Sequence, residues 1–132
     1  MTRFLVDTGA WFAAADDRDP DHLAVAKCLR ECSGRLVTTN FILDETVTLM
    51  RFRLGFDTAR RFGEQILGGN AARLAAVTRR GENRAWEVFT RYRDKSFSYT
   101  DCTTFAAMQR LRIDTAVAID DDFRSFGLAC LP

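Results

Sequence analysis

The segment Arg3-Phe-Leu-Val-Asp-Thr-Gly-Ala-Trp-Phe-Ala-Ala-Ala15 is the part of this chain most informative about its fold. Its apolar beginning, Arg3 to Val6, predicts a short buried strand, and the small residues from Ala10 to Ala15 predict a helix. Asp7 stands between the two. A strand that runs through an acid into a helix is typical of open α/β sheets, in which ligands bind beyond the carboxyl ends of the strands.

The alternation of strand and helix continues to the end of the chain. Further strands are predicted at Leu36-Val37, Arg73 to Val77, Thr115 to Ile119 and, at an edge of the sheet, Leu128 to Leu131. A helix is predicted with Asp19 as cap and Pro20 at its first position. Further helices are predicted over Asn40 to Leu54 with Thr39 as cap, from Asp57 to Gly68, over Arg80 to Arg93, and over Asp101 to Leu111 with Thr100 as cap. This order implies a three-layer α/β sandwich with a mainly parallel central sheet, and no linker divides residues 1–132, so one domain is expected.

Composition narrows the possible functions. The chain has 132 residues, of which 47% are apolar, and a formal net charge of +1. A nearly neutral protein has no overall field that attracts nucleic acid, so an RNA-binding surface has to be a local patch. No apolar run approaches a membrane span, and no signal peptide is visible. Four cysteines without a Cys-x-x-Cys pair, and one histidine, argue against zinc and favour reduced thiols in the cytoplasm.

Acidic residues occupy the positions where a ligand would bind. Asp7 and Asp120 each follow an apolar strand directly, so both should emerge at the same edge of the sheet. Either one alone could be an ordinary turn aspartate. Asp101 falls in the first turn of its helix, where an acid also complements the helix dipole. Asp122 is close enough in sequence to join the group, whereas Asp121 is expected to face water.

Glu45 is the more informative acid. On a helical wheel it falls in the middle of an apolar arc that contains Phe41, Ile42, Leu49 and Phe52, while Asp44 falls on the solvated side. This pattern predicts a carboxylate that points inward, either toward a metal or into a buried ion pair with an arginine. Crowded carboxylates raise one another's pKa unless a cation joins them, and Mg²⁺ or Mn²⁺ prefers oxygen ligands. With no nucleophile or histidine suitably placed, a metal-activated water is the expected attacking group.

Four segments carry a resemblance to a known family: Phe4 to Ala13, Thr38 to Thr46, Ser98 to Ala107 and Ala118 to Gly127. In this order and spacing the sequence resembles the PIN-domain ribonucleases, specifically the VapC-type toxins of bacterial toxin–antitoxin pairs. The resemblance implies that Asp7, Glu45, Asp101 and Asp120 surround Mg²⁺ or Mn²⁺, that Thr8 is a polar neighbour, and that Asp122 is a possible additional acid. It also implies an RNA substrate, a homodimer and a small antitoxin protein as partner. One departure is Ile119, where a threonine is frequent.

Basic residues form two groups that suit RNA phosphates. The first contains Arg51, Arg53, Arg60 and Arg61; the second contains Arg84, Arg91 and Arg93 together with Arg79, Arg80 and Lys95, interleaved with the aromatic residues Trp86 and Tyr92. Arginine contacts and stacking on aromatic rings suit single-stranded RNA. The alternative is that these arginines only coat solvated helix faces and that Trp86 belongs to the core.

Two other functions remain open at this point. A phosphatase of the haloacid dehalogenase type also uses acids at strand ends, but it needs a second aspartate where this chain has Gly9. A PIN-like module that binds RNA or protein without cutting is expected to lack one or more of the acids, and here all four are present. A second apolar arc of the Glu45 helix, formed by Leu43, Val47, Met50 and Leu54, predicts that this helix or the next one contributes to a homodimer interface.

Overall fold

A computed structural model describes residues 1–132, and five short strands form its centre. The strands are β1 (Phe4–Val6), β2 (Leu36–Thr39), β3 (Arg73–Ala75), β4 (Thr115–Val117) and β5 (Ala129–Leu131). They form one wholly parallel sheet in the order β3-β2-β1-β4-β5. In the middle strand, Leu5 lies beside Val37 on one side and beside Ala116 on the other. The predicted α/β class with a parallel central sheet is confirmed.

Seven helices connect and flank the strands. They are α1 (Thr8–Ala15), α2 (His22–Glu31), α3 (Asn40–Arg53), α4 (Phe56–Leu67), α5 (Arg79–Arg91), α6 (Tyr99–Leu111) and α7 (Asp122–Ser125). The most extensive helix contacts are those of α5 with α6 and of α3 with α4. None of the helices combines the length and the apolar character that crossing a membrane would require.

The core forms where the central strands are covered on both faces. Leu5, Val6 and Val117 are completely buried, as expected for parallel strands with helices above and below them. A smaller apolar cluster joins α5 to α6 through Ala85, Val88, Phe97 and Cys102. The rigid sheet therefore fixes the positions at which β1 and β4 end.

Several predicted boundaries differ from the structure by one to three residues. The cap of α6 is Ser98 rather than Thr100, because the Ser98 hydroxyl accepts the backbone N–H of Asp101. Helix α2 begins at His22 rather than at Pro20, since Asp19 instead accepts the backbone N–H of Asp21 in a turn. Helix α4 begins at Phe56, directly after Gly55, whose positive φ of 98° suits a residue without a side chain.

The burial of the two apolar arcs of α3 differs from what the helical wheel suggests. Met50 is completely buried, and Val47 packs toward Gly63 of α4, where an added Cβ would lie 3.7 Å from the valine. The second arc is therefore covered within the chain and no longer argues for a second subunit. On the first arc, Ile42 is completely buried but Phe52 is 84% exposed, so the expectation of an inward face is wrong at Phe52. Glu45 lies at the border between buried and exposed.

Candidate active site

Asp7 is the most deeply buried acid of the chain. It connects β1 to α1, and its backbone is held in place because its N–H donates to Val117 O at 3.0 Å while its carbonyl accepts from the N–H of Trp11. The side chain is 5% exposed, and its Oδ1 atom has no hydrogen-bond partner. An unpartnered buried carboxylate oxygen is costly, so a fold that keeps one has a ligand position to fill.

The pKa of Asp7 is raised from 3.8 to about 8, mainly because burial penalises the charged form. The negative charges of Asp101, Asp120 and Glu45 raise it further, while the backbone N–H of Thr8 acts in the opposite direction. The carboxylates predicted from strand ends and from the helical wheel thus lie close enough to repel one another.

Asp101 is oriented by a capping box at the start of α6. Its N–H donates to Ser98 Oγ at 3.0 Å, and its Oδ2 accepts the backbone N–H of Ser98 at 3.0 Å. Burial, followed by the charges of Asp122 and Asp120, raises the pKa of Asp101 to about 6, against the lowering effect of the Ser98 hydrogen bonds. Because one oxygen is used in the capping box, the other remains available to a ligand.

The three consecutive acids after β4 have different environments. Asp120 Oδ1 accepts the backbone N–H of Asp122 at 3.1 Å, and burial raises the pKa of Asp120, helped by the charges of Asp122, Asp121 and Glu45. Asp121 is directed outward, as expected: its side chain is 85% exposed and pairs with Arg124 at 2.7 Å. Asp122 is half-buried, and its negative charge raises the pKa of both Asp101 and Asp120.

Glu45 has no cationic partner in the structure. None of the five ion pairs of the chain involves it, which removes the alternative of a buried pair with an arginine. Its negative charge raises the pKa of Asp7 and of Asp120, which follow two neighbouring strands. The acidic group is therefore left without compensating positive charge from the protein.

Buried threonines underlie the acids, and the sequence reasoning missed most of them. Thr46 donates a hydrogen bond to Thr8 Oγ1 at 3.2 Å, which fixes the predicted polar neighbour of Asp7. Thr38 donates to Val6 O and accepts from Trp11 Nε1, both at 3.3 Å. The signal for Thr46 was its position directly after Glu45 on α3, but a hydropathy pattern does not mark a buried polar residue.

The donor set suits a hard divalent cation. No three acidic, histidine or cysteine side chains are already close enough together to hold a metal ion without rearrangement. An unpartnered buried oxygen on Asp7, oxygen donors throughout and uncompensated negative charge are nevertheless what Mg²⁺ or Mn²⁺ requires. Small side-chain movements of acids that repel one another would be needed to enclose the ion.

The predicted RNA-binding arginines lie mostly on the protein surface. Arg51, Arg53, Arg60, Arg61, Arg91 and Arg93 are exposed, and Arg84 is half-buried. Arg60 pairs with Glu64 at 3.1 Å, and the Arg51 guanidinium lies 5.5 Å from the centre of the Phe56 ring. Trp86, which could have belonged to the core, is 58% exposed.

Comparisons with known proteins agree with this fold. The model of the family described as "PIN domain" matches residues 4–128. The chain is 32% identical over 122 residues to the 23S rRNA-specific endonuclease VapC20 of Mycobacterium tuberculosis strain H37Rv, covering 92% of each protein. It is 32% identical over 114 residues to the VapC ribonuclease of Archaeoglobus fulgidus, covering 83% of this chain and 72% of the relative.

A solved structure gives the same result. The crystal structure of Mycobacterium tuberculosis VapC20, described as a sarcin-ricin loop cleaving toxin, superimposes with a TM-score of 0.90 at 31% identity and covers 96% of each chain. Because the family model spans almost the whole sequence and relatives above 30% identity are covered nearly end to end, this chain belongs to the PIN domain family.

Proposed function

We propose that this chain is a metal-dependent ribonuclease that hydrolyses RNA phosphodiester bonds, and that it is the toxin of a toxin–antitoxin pair. The observation that carries the proposal is the buried Asp7 carboxylate, whose Oδ1 has no partner and whose pKa is raised to about 8 by burial and by three other acids. Relatives named as VapC ribonucleases supply the substrate class.

Four carboxylates are assigned to the metal: Asp7, Glu45, Asp101 and Asp120. Asp122 is an additional candidate, because its charge acts on both Asp101 and Asp120. A bound Mg²⁺ or Mn²⁺ would orient the phosphodiester, activate the attacking water and stabilise the leaving oxygen. Asp7 and Asp101 must lose their protons before they can act as ligands, since both have raised pKa values.

Two neighbouring residues position this machinery. Ser98 holds one oxygen of Asp101 through the capping box, so the carboxylate keeps a fixed direction. Thr8 accepts a hydrogen bond from Thr46, which leaves the Thr8 hydroxyl hydrogen free to donate to a carboxylate, a water or the substrate. Both residues are positioning groups rather than reacting groups.

The substrate proposed from similarity is a structured RNA loop of the kind found in 23S ribosomal RNA. VapC20 is described as specific for 23S rRNA and as cleaving the sarcin-ricin loop. A toxin role brings a protein antitoxin as partner and the cytoplasm as place of action. A homodimer is supported by Phe52 and Phe56, two exposed aromatic residues at the corner between α3 and α4.

The test is a cleavage assay on purified protein free of any partner. The substrate is a sarcin-ricin stem-loop RNA, with an unrelated stem-loop alongside. We expect cleavage that requires Mg²⁺ or Mn²⁺ and is lost in Glu45→Gln. The matched control is Asp44→Asn, which removes one negative charge from the adjacent, exposed position of α3 and should cleave normally. Cleavage that persists in Glu45→Gln, or in excess chelator, would exclude this mechanism.

A further inference from the structure

An aromatic recess lies between the first half of α5 and the start of α6. This aromatic recess is lined by Arg79, Glu82, Asn83, Trp86, Glu87 and Tyr99. The Trp86 ring is stacked on Phe89 with 5.6 Å between the centroids and 23° between the planes, while Tyr99 meets Trp86 edge-on at 6.4 Å. Large aromatic surfaces left exposed on a small domain mark a binding site more often than a packing defect.

Tyr99 connects the recess to α6 and α3, the helices that carry Asp101 and Glu45. Tyr99 precedes Asp101 by two residues in the first turn of α6, so their backbones are about 5 Å apart. The Tyr99 ring also lies 6.2 Å from that of Phe41, which stands one helical turn before Glu45 on α3. Two of the assigned metal ligands are thus joined to the recess by neighbouring aromatic residues.

Three arginines gather between α5 and α6, on another flank of α5: Arg80 and Arg84 belong to α5, and Arg110 belongs to α6. Arg80, Arg84 and Arg110 line a separate recess with Thr78, Gly81 and Gln109, which we call the arginine recess. At 100° per residue, Arg80 and Arg84 lie about 120° and 160° around α5 from Trp86. Arg84 pairs with Glu87, and Arg110 donates to Ala76 O at 3.1 Å. The side chains of Arg84 and Arg110 are therefore held in place. A helix with rings on one flank and arginines on another fits a polymer that alternates flat and anionic groups.

We propose, on the basis of the ribonuclease function above, that an unpaired base of the RNA stacks on Trp86 beside Tyr99 while the arginine recess holds a phosphate farther along the same strand. The aromatic recess contains the carboxylates of Glu82 and Glu87 and the single cation Arg79, so it disfavours a phosphate. Carboxylate oxygens do accept hydrogen bonds from amino groups on base edges, and flat rings stack on any base. Single-stranded loops present bases in this way.

The experiment measures RNA binding without cleavage, in chelator, by the quenching of tryptophan fluorescence. The probe is an unpaired oligoribonucleotide of about ten nucleotides. Trp11, the other tryptophan, is buried and should not respond. We expect quenching in the wild type and about 5- to 150-fold weaker binding by Trp86→Ala, measured by anisotropy of labelled RNA. Trp86→Phe retains a ring and should bind within a few-fold of the wild type, and Leu23→Ala, which truncates another exposed apolar side chain, on α2, should be unchanged.

The outcomes separate this proposal from the ribonuclease function. If the wild type cleaves RNA and Trp86→Ala binds the probe as tightly as the wild type, the stacking platform is refuted and the ribonuclease stands. If Trp86→Ala alters the association state in light scattering, or binding of a protein partner, without altering RNA affinity, the recess is a protein contact and the proposal also fails. If the wild type neither binds nor cleaves RNA, the function itself is wrong.

Discussion

Replacing Asp7 by asparagine should stabilise the metal-free protein while abolishing its activity. The Asp7 carboxylate is buried, and its folded-state pKa of about 8 lies far above its ordinary value of 3.8. For an acid whose pKa is raised by folding, the stability present below about pH 4 is lost as the pH rises toward the folded-state pKa. Asparagine resembles the protonated acid in shape and also carries a hydrogen-bond donor group, but it never acquires the charge.

The size of the effect follows from the pKa shift. Each pH unit above the unfolded pKa costs about 1.4 kcal/mol while the folded state keeps its proton. Over roughly three units between the ordinary pKa and neutral pH, the wild type loses about 4 kcal/mol relative to the variant. In a domain of this length, that corresponds to a rise in Tm of about 10–15 °C for Asp7→Asn.

Urea unfolding in the presence of a chelator, at about pH 4.5 and about pH 7.5, measures the difference in unfolding free energy between Asp7→Asn and the wild type. The stability advantage of Asp7→Asn should be large at the higher pH and should shrink to about 1 kcal/mol at the lower pH. Added Mg²⁺ should stabilise the wild type but not the variant, because only the wild type keeps the ligand. Asp44→Asn is the exposed control and should show neither effect. Equal stability of Asp7→Asn and wild type at the higher pH would refute the claim that Asp7 is held at an energetic cost for a ligand.

Three further results are expected. Ser98→Ala removes the capping box, so the free energy of unfolding should fall by about 1 kcal/mol in urea titrations and Mg²⁺ should bind more weakly because Asp101 is less well oriented. Mg²⁺ affinity should increase between about pH 6 and pH 9, and calorimetry in buffers of different ionisation enthalpy should detect released protons, since the pKa values of Asp7 and Asp101 are raised. Arg84→Ala should weaken RNA binding and reduce the slope of log K against log[salt] by about one; an unchanged slope would show that Arg84 makes no phosphate contact.

The positions of Asp7 and Asp120 could be predicted because parallel strands end at a common edge. An acid just beyond the carboxyl end of a buried apolar strand emerges there; Asp7 follows β1 directly, Asp120 lies three residues after the end of β4, and the two strands are neighbours. The alternation of strands and helices likewise determined the class of fold. These inferences need only strand direction and the burial of apolar runs, which a single sequence carries.

The surroundings of Glu45 could not be predicted in the same way. A helical wheel shows that α3 has two apolar arcs, but it cannot show which of them another helix covers. In the structure α4 covers the arc that contains Val47 and Met50, and Phe52 is left exposed. The hydrogen bond between Thr46 and Thr8 joins residues 38 positions apart and leaves no periodic signal. The Ser98 cap was missed because Thr100, two residues later, is an equally good capping residue in isolation.

We propose that one divalent ion binds at the unpartnered Asp7 oxygen among Glu45, Asp101 and Asp120. The most direct measurement is anomalous X-ray diffraction from crystals of the protein grown with Mn²⁺. We predict an anomalous peak about 2 Å from Asp7 Oδ1, with at least two of the other three carboxylates turned toward it. If Mn²⁺ at saturating concentration bound elsewhere in the crystal and left Asp7 Oδ1 without a ligand, the proposed metal site would be wrong.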